Sequence, residues 1–180
     1  MNNKTIKALI ECSREGSSDA FRGIFEHLHD RLFFYASSHM RIREDALDIV
    51  QETFVDLWKS IRGIRRFTYN SDEEFYGFVF LILKRKISRH KHKNATKNSL
   101  PFNENIAAEG YKMEHEDYRH VLKAIEKLAA EFQELINLRY WADMSFGEIA
   151  LVLNINENTA KVKHYRALQK LKAYLAYYNE

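Results

Sequence analysis

Apolar residues recur every three or four positions along most of the chain, which is the spacing of an amphipathic α-helix. The pattern predicts a first helix from Asn3 to Arg14 and a second helix in DAFRGIFEHLHDRLFFYASSHM, capped by Asp19. A third helix is predicted from about Glu44 to Ile61, and a fourth from about Glu74 to His92. The first half of the chain is therefore expected to form a helical bundle.

The helical pattern fails between residues 94 and 110. This stretch contains Pro101, the one proline of the chain, and lacks a sustained amphipathic period, which is typical of a linker. Helical periodicity returns at YKMEHEDYRHVLKAIEKL and continues toward the C-terminus. We therefore predict an all-α protein with two small helical domains, at 1–93 and 117–180, joined by a flexible linker at 94–116.

Composition agrees with this interpretation and narrows the setting. Apolar residues make up 46% of the chain and there are six glycines, which favours a packed helical protein over a disordered one. Cys12 is the only cysteine, so an internal disulfide and a thiolate-rich zinc site are excluded. The longest near-apolar run, Phe75 to Leu83, falls far short of the about 20 residues of a membrane span. With no signal-peptide pattern, a soluble cytoplasmic protein without membrane insertion is expected.

The C-terminal domain contains the pattern of a helix-turn-helix in SFGEIALVLNINENTAKVKHYRALQKL. Asn154 falls where the turn needs a left-handed residue, a conformation that asparagine tolerates, and Asn156 is placed to cap the next helix. Polar and basic side chains on that helix can reach base edges and phosphates in a major groove. An amphipathic hairpin with a solvated basic face would show the same pattern. His164 is expected to pack inward.

The predicted third helix carries more apolar surface than a single buried face requires. One stripe at helical spacing consists of Ala46, Val50, Leu57 and Ile61. A second stripe consists of Leu47, Gln51, Phe54 and Trp58, with acidic residues beside it. An acidic rim around Trp58 would suit a partner with basic residues around an apolar groove. Burial of both stripes inside the domain is the alternative.

The predicted fourth helix joins an aromatic half to a basic half in FYGFVFLILKRKISRHKHK. Uninterrupted positive charge next to aromatic rings is the composition of a nucleic-acid surface, where phosphates bind the cations and bases stack on the rings. A solvated basic helix end is the alternative.

Taken together, these segments resemble the extracytoplasmic-function (ECF) sigma factors, the small group of bacterial transcription initiation subunits. DALDIVQETFVDLWKSI resembles their region 2.2, the helix that binds core RNA polymerase. FTYNSDEEFYGFVFLILKRKISRHK stands where regions 2.3 and 2.4 melt the −10 element and bind its bases. EFQELINLRYWADMSFGEIALVLNINENTAKVKHYRALQKLKAYL resembles region 4, which binds the −35 element.

The resemblance implies three sets of contact residues. Core RNA polymerase would contact Leu47, Asp48, Gln51, Glu52, Phe54 and Trp58. The −10 element would contact Tyr69, Phe75, Phe78, Lys84, Arg85 and Arg89. The −35 element would contact Asn158, Thr159, Lys161, Lys163 and Arg166. The resemblance also implies promoter DNA and an anti-sigma factor as partners, the bacterial cytoplasm as location, and no catalytic site or cofactor.

The chain departs from the family pattern at several positions. Region 4 usually has Leu-Pro where Ala129 follows Leu128, and a turn glycine where Asn154 stands. His164 replaces a common leucine, and Phe78 stands where tryptophan is common. These changes leave the family resemblance intact and leave the promoter sequence open.

Two other classes of function are the alternatives. The first is a free-standing helix-turn-helix regulator whose N-terminal domain senses a ligand or dimerises. The second is a helical hydrolase or metal enzyme that uses histidines. His27-x-His29 and His90-x-His92 place their imidazoles on different helix faces, and His115 and His120 are five residues apart, so none forms an i, i+4 metal pair. With no nucleophile elbow or phosphate-binding glycine loop, neither a catalytic nor a metal site is expected. A further hypothesis is that the two domains pack together when free and hide their DNA surfaces.

Overall fold

The computed structural model describes residues 5–40, 42–63, 69–95 and 117–176. Within these ranges all regular elements are helical, which confirms the predicted all-α fold class. The elements are α1 (Ile6–Arg14), α2 (Ser18–Ser37), α3 (Arg43–Arg62), α4 (Asp72–Ala95), α5 (Asp117–Glu126), α6 (Ala130–Ile136), a π-helical turn (Asn137–Trp141), α7 (Phe146–Leu153) and α8 (Glu157–Ala176).

Side-chain caps fix the start of the first two helices. The Thr5 hydroxyl accepts a hydrogen bond from the Ala8 amide at 3.4 Å, and the Ser17 hydroxyl accepts one from the Ala20 amide at 3.2 Å. The prediction that Asp19 caps α2 is therefore wrong. Asp19 lies inside the first turn, where a negative charge stabilises the helix through the exposed amides and the dipole.

Helices α1 to α4 enclose the core of the N-terminal bundle. The first stripe of α3 is buried as the sequence predicts. The opposing face of α4 adds Phe75, Val79, Phe80, Leu83 and Ile87. Burial of such side chains provides roughly 25 cal/mol per Å² of apolar surface removed from water. The buried Thr53 hydroxyl donates to the Ile49 carbonyl at 2.8 Å, so it leaves no unpaired donor in this core.

The C-terminal helices have a small core of their own and also share the larger one. The small core lies between α5, α6 and α8 and contains Ala124, Leu128, Ile136, Ala167 and Leu171. The larger core runs from the N-terminal bundle into the helix-turn-helix and includes Leu135, Leu138, Ala142, Met144, Ile149, Val152 and Ala160. Helix α7 packs on α4, and the π-helical turn packs on α2. The two predicted domains are therefore in contact in this structure.

A glycine permits the close approach of α7 to α4. A Cβ added to Gly77 on α4 would lie 3.3 Å from the Leu151 Cβ on α7, tighter than an ordinary van der Waals contact. A larger residue at position 77 would therefore require the Leu151 side chain or the helices to shift by a few tenths of an ångström.

The domain boundaries stay predictions. Helix α4 continues to Ala95, past the predicted boundary at residue 93, and residues 96–116 of the predicted linker lie outside the described residues. Among the helices that the structure describes, none is both long and apolar enough to cross a bilayer.

Candidate polymerase and nucleic-acid surfaces

The outer face of α3 carries most of the residues predicted to contact polymerase. Asp48, Gln51 and Glu52 are exposed, and Leu47 and Trp58 are half-buried. Trp58 packs edge-on against Phe21 of α2, with ring centroids 4.7 Å apart, and the Arg62 guanidinium lies 5.1 Å above its ring.

Phe54 occupies a different place from the rest of its stripe. Only 5% of its surface is exposed, and its ring packs against Phe21 and Phe25 at centroid distances of 6.4 and 4.6 Å. The ring packs beneath this face and is not accessible to a partner in this conformation. The second stripe is thus divided between core and surface, because Phe54 points between α2 and α3.

Two exposed apolar side chains belong to the same face and were missed in the sequence. Val55 on α3 is 50% exposed and Phe25 on α2 is 37% exposed. Val55 follows Gln51 by one helical turn and precedes Trp58 by one, so its spacing could have placed it there. Phe25 could not have been placed from sequence, because it reaches this face only through the packing of α2 on α3.

Part of the acidic rim of α3 binds α4. The Lys86 ammonium lies 2.7 Å from Asp56 and 3.2 Å from Glu52, and only 11% of its side chain is exposed. Burial lowers the pKa of Lys86, but hydrogen bonds from its ammonium to Asp56 and Glu52 outweigh burial and raise the pKa. Lys86 therefore links α3 and α4 through ion pairs, and Glu52 already has an ion-pair partner within the chain.

The residues predicted for the −10 element fall into three environments. Arg85 and Arg89 on α4 are exposed, and Tyr69 and Phe78 are half-buried. Phe75 is fully buried at 0% exposure, so its ring cannot stack on a base in this conformation. The Lys84 ammonium lies 2.8 Å from the Glu134 carboxylate of α6. The surface available on α4 is therefore smaller than the sequence pattern indicates.

Helix α7 and the turn that follows it have the predicted helix-turn-helix geometry. Ser145 and Glu148 form a capping box, in which each side chain accepts a hydrogen bond from the other residue's backbone amide. Asn154 adopts the left-handed conformation with φ 52° and ψ 49°, as predicted. The Asn156 side-chain oxygen accepts from the Thr159 amide at 2.7 Å, which confirms the predicted cap of α8.

The residues predicted for the −35 element lie together near the start of α8. Asn158, Lys161 and Arg166 are exposed, and Thr159 and Lys163 are half-buried. Lys161 pairs with Glu157 at 2.7 Å one turn earlier, and Lys163 pairs with Glu131 of α6. These are solvent-accessible pairs of the kind that contributes little to stability, so phosphates can compete for both lysines.

An aromatic cluster fixes α8 against the π-helical turn. His164 Nε2 lies 3.1 Å from the Tyr140 hydroxyl, and the imidazole meets the Phe146 ring edge-on at 5.2 Å. Burial, together with the nearby Arg139 charge, lowers the pKa of His164, which favours the neutral ring. The expectation that His164 packs inward is confirmed. Tyr165, which is 64% exposed beside it, was missed in the sequence.

No group of three or more histidine, cysteine, aspartate or glutamate side chains suited to a metal ion occurs among the described residues.

Comparison with known protein families identifies both halves of the chain. The family model of sigma-70 region 2 matches residues 24–96, and that of sigma-70 region 4 matches residues 118–171. The chain belongs to the sigma-70 family. Its relatives place it among the ECF sigma factors, as the sequence resemblance indicates. Members of this family are non-catalytic transcription initiation factors. The chain is an alternative sigma factor that directs transcription initiation.

Two curated relatives show how far the similarity extends. The chain is 29% identical to RNA polymerase sigma factor SigV of Bacillus subtilis over 175 residues, covering 96% of this chain and 94% of SigV. It is 25% identical to ECF RNA polymerase sigma factor BldN of Streptomyces coelicolor over 170 residues, covering 91% of this chain. The sigma factor spans 63% of the length of BldN.

Two solved structures share the fold. CnrH, in complex with the cytosolic domain of CnrY, superposes with a TM-score of 0.68 at 24% identity, covering 93% of this chain and 95% of CnrH. The sigma factor RpoE of Bartonella quintana, in complex with the anti-sigma factor NepR, superposes with a TM-score of 0.61 at 20% identity, covering 87% of this chain and 96% of RpoE.

Proposed function

We propose that this sigma factor docks on core RNA polymerase through the outer face of α3. The observation that supports the proposal best is the set of exposed side chains Asp48, Gln51 and Val55 beside the half-buried Trp58, which packs on Phe21 next to the buried ring of Phe54. Such a face combines a rigid apolar centre with a polar rim, which is the anatomy of a protein interface. Leu47, Glu52 and Phe54 complete the proposed set, with Phe54 acting as support and Glu52 shared with Lys86.

Promoter binding is assigned to α4 and α8. On α4, the exposed Arg85 and Arg89 would bind phosphates. The half-buried Phe78 of α4 and Tyr69, which precedes α4, would stack on unpaired −10 bases. Phe75 is buried, so in this proposal its ring supports α4 and does not contact the bases. On α8, the side chains of Asn158 and Arg166 would contact base edges of the −35 element.

The remaining −35 contacts are assigned to the first turns of α8. Thr159, Lys161 and Lys163 would bind backbone phosphates, which position the helix in the groove without selecting its sequence. Two modest contacts on one polymerase act at a high effective concentration when the linker at 94–116 spans their separation. We assign residues 1–93 and 117–180 to the two binding domains.

The proposal includes an anti-sigma partner, the bacterial cytoplasm as the site of action, and no enzymatic activity. RpoE of Bartonella quintana is seen with an anti-sigma factor, and this chain has the same fold. A free-standing regulator is the competing function, and it predicts tight binding to duplex DNA in the absence of polymerase.

The test is binding of the purified chain to bacterial core RNA polymerase without DNA. Trp58→Ala and Asp48→Lys should each weaken binding, and Asp48→Lys does so with an exposed side chain whose replacement leaves the core intact. The charge-matched control is Glu126→Lys on α5, which is exposed on the other domain. Equal binding by all four proteins would exclude the α3 face as the docking surface.

A further inference from the structure

The solvent-facing side of α8 has an apolar residue at its centre. A period of 3.6 residues places Asn158, Val162 and Arg166 in one line, on the side opposite the buried Ala160 and Ala167. Val162 is 49% exposed, although valine is usually a buried residue. It lies one helical turn from each of the two side chains that we assign to base edges of the −35 element.

Tyr165 enlarges this apolar centre. It follows Val162 by three residues, so the two side chains are neighbours on the helix surface, and it is 64% exposed. Within the described part of α8 no acidic residue follows Glu157. Basic side chains lie on both flanks of the apolar pair: Lys161, Lys163, Arg166, Lys170 and Lys172. An apolar centre between positive flanks fits a polyanion that offers an apolar group between its phosphates.

Duplex DNA offers such a group to a helix in its major groove. The major-groove edges of adenine, guanine and cytosine present hydrogen-bond donors and acceptors, whereas thymine adds a methyl group on C5. The Val162 side chain has no hydrogen-bonding atom. Contact with the methyl group is therefore favourable, while contact with another base edge would withdraw polar atoms from water without a partner.

We propose that Val162 contacts the C5-methyl group of a thymine in the −35 element, with the Tyr165 ring beside it. The inference rests on the proposed −35 role of α8 and names a base pair that this helix selects. A rise of 1.5 Å per residue separates Asn158, Val162 and Arg166 by about 6 Å each, close to two base-pair steps of 3.4 Å. Asparagine pairs best with adenine and arginine with guanine. The thymine therefore has an adenine about two base pairs to one side and a guanine about two base pairs to the other.

The competing explanation is that Val162 is exposed without a role in binding. Single apolar side chains occur on most protein surfaces. This explanation predicts that Val162→Ser leaves the DNA sequence selected by the protein unchanged, because only the surrounding polar and basic side chains would contact the groove.

The first experiment is selection from duplex DNA that is randomised over about ten base pairs, one turn of the double helix, and constant elsewhere. The full chain assembled with core RNA polymerase performs the selection. Wild type should enrich a segment with the thymine at a fixed place, and Val162→Ser should lose the preference at that base pair alone. Leu168→Ser is the matched control and should keep the preference, because Leu168 is 37% exposed and lies about 120° around the same helix from Val162.

The second experiment removes the methyl group from the DNA. The enriched duplex is prepared with uracil, which lacks only the C5-methyl group, in place of each thymine in turn. At one thymine the affinity of wild type should fall about fourfold, the factor expected from one buried methyl group. Val162→Ser should bind the thymine and uracil duplexes equally. The inference is overturned if wild type is indifferent to uracil at every position, or if the loss is equally large in Val162→Ser.

A third experiment separates the methyl group from the rest of the thymine edge. Replacement of the selected T·A pair by C·G removes the methyl group and changes the hydrogen-bonding pattern, and 5-methylcytosine restores the methyl group alone. Wild type should bind the 5-methylcytosine duplex about fourfold more tightly than the cytosine duplex. Val162→Ser should not distinguish the two. Equal binding of both duplexes by wild type would also overturn the methyl contact.

Asn158→Ala and Arg166→Ala separate this inference from the function on which it rests. If both variants weaken binding to the enriched duplex while uracil has no effect, α8 binds the −35 element and the role of Val162 is wrong. If the chain binds core polymerase and no segment is enriched, the −35 role of α8 is wrong and the inference fails with it.

Discussion

Arg31 of α2 donates a hydrogen bond to Glu148 of α7 at 3.1 Å, and Glu148 at the same time accepts from the Ser145 amide at 2.6 Å. The Arg31 guanidinium also donates to the Ala142 carbonyl at 2.8 Å and lies 4.5 Å from the centroid of the Tyr76 ring. One residue of the N-terminal bundle thus holds the loop that starts the helix-turn-helix, and it does so from an interface where the two charged side chains are 18% and 7% exposed.

Arg31→Met should therefore loosen the contact between the domains. It leaves the Glu148 carboxylate without its cation, which in a fully enclosed pair costs about 3–5 kcal/mol. We expect about 2 kcal/mol in the free energy of unfolding, because separation of the domains returns water to Glu148. Denaturant unfolding measures the change. Arg22→Met on the same helix is the control, since its pair with Asp19 is mostly exposed. Equal effects of the two substitutions would show that the Arg31–Glu148 pair stabilises the protein no more than the exposed Arg22–Asp19 pair does.

Substitutions at Val55 and Phe54 should distinguish the residue of α3 that contacts polymerase from the residue that stabilises the fold. Val55→Asp places a charge on an exposed position, so we expect less than about 0.5 kcal/mol of change in unfolding and at least about a tenfold loss of polymerase affinity. Phe54→Ala removes a ring that is 5% exposed and should cost about 3–5 kcal/mol of stability. Thermal unfolding and a polymerase binding assay give the two measurements. Unchanged polymerase affinity in Val55→Asp would remove that residue from the interface.

Asn154 provides a backbone test of the helix-turn-helix. Its positive φ of 52° favours glycine and asparagine over residues with an ordinary Cβ. Asn154→Ala should therefore destabilise the protein by about 1 kcal/mol, whereas Asn154→Gly should be neutral or slightly stabilising. Denaturant midpoints of the two variants decide the matter. The reverse order would mean that the Asn154 side chain, and not its backbone conformation, stabilises the turn.

The ionic contact between Glu134 and Lys84 should weaken only in acid. The pKa of Glu134 lies below its usual 4.5, at about 2, so its contribution is complete above the usual value and is lost as the pH falls from 4.5 toward 2. The groups that face it are Tyr35, His39, Lys84 and, at longer range, Lys91. Comparison with Glu134→Gln at each pH reports the contribution of this one carboxylate.

The difference in unfolding free energy between wild type and Glu134→Gln should be constant from about pH 7 to pH 5 and should shrink below that range. Denaturant unfolding at a series of pH values measures it. A difference that grows below pH 4.5 would contradict the ionised contact, because it would require a raised pKa for Glu134.

Short-range signals in the sequence were sufficient for most local structure. The stripe Ala46, Val50, Leu57 and Ile61 predicts its own burial, because a 3.6-residue period places these side chains on one side of α3. The turn at Asn154 and the cap at Asn156 depend on the conformational preferences of single residues, and both have the predicted geometry. The cap of α2 was misplaced because Ser17 and Asp19 carry equally suitable oxygens, and only the backbone shows which one is used.

Charge in the sequence was a weaker guide to the binding surfaces. The basic run of α4 contains Lys84, Arg85, Lys86 and Arg89, and the sequence does not show which of them are available to bind DNA. In the structure Lys86 binds two carboxylates of α3, Lys84 binds Glu134, and the two arginines are exposed. Whether a basic side chain is available to bind DNA depends on the acidic side chains packed around it. Here those acidic side chains belong to other helices.

The sequence alone therefore determined the helices, the helix-turn-helix and the family, because each depends on residues within a few turns of one another. The tertiary structure decided how the two halves meet. Tyr35 and Glu134 are 99 residues apart, yet the hydroxyl donates to the carboxylate at 2.6 Å. No local pattern encodes that pair, because it forms only when α6 packs beside α2 and excludes water from both groups.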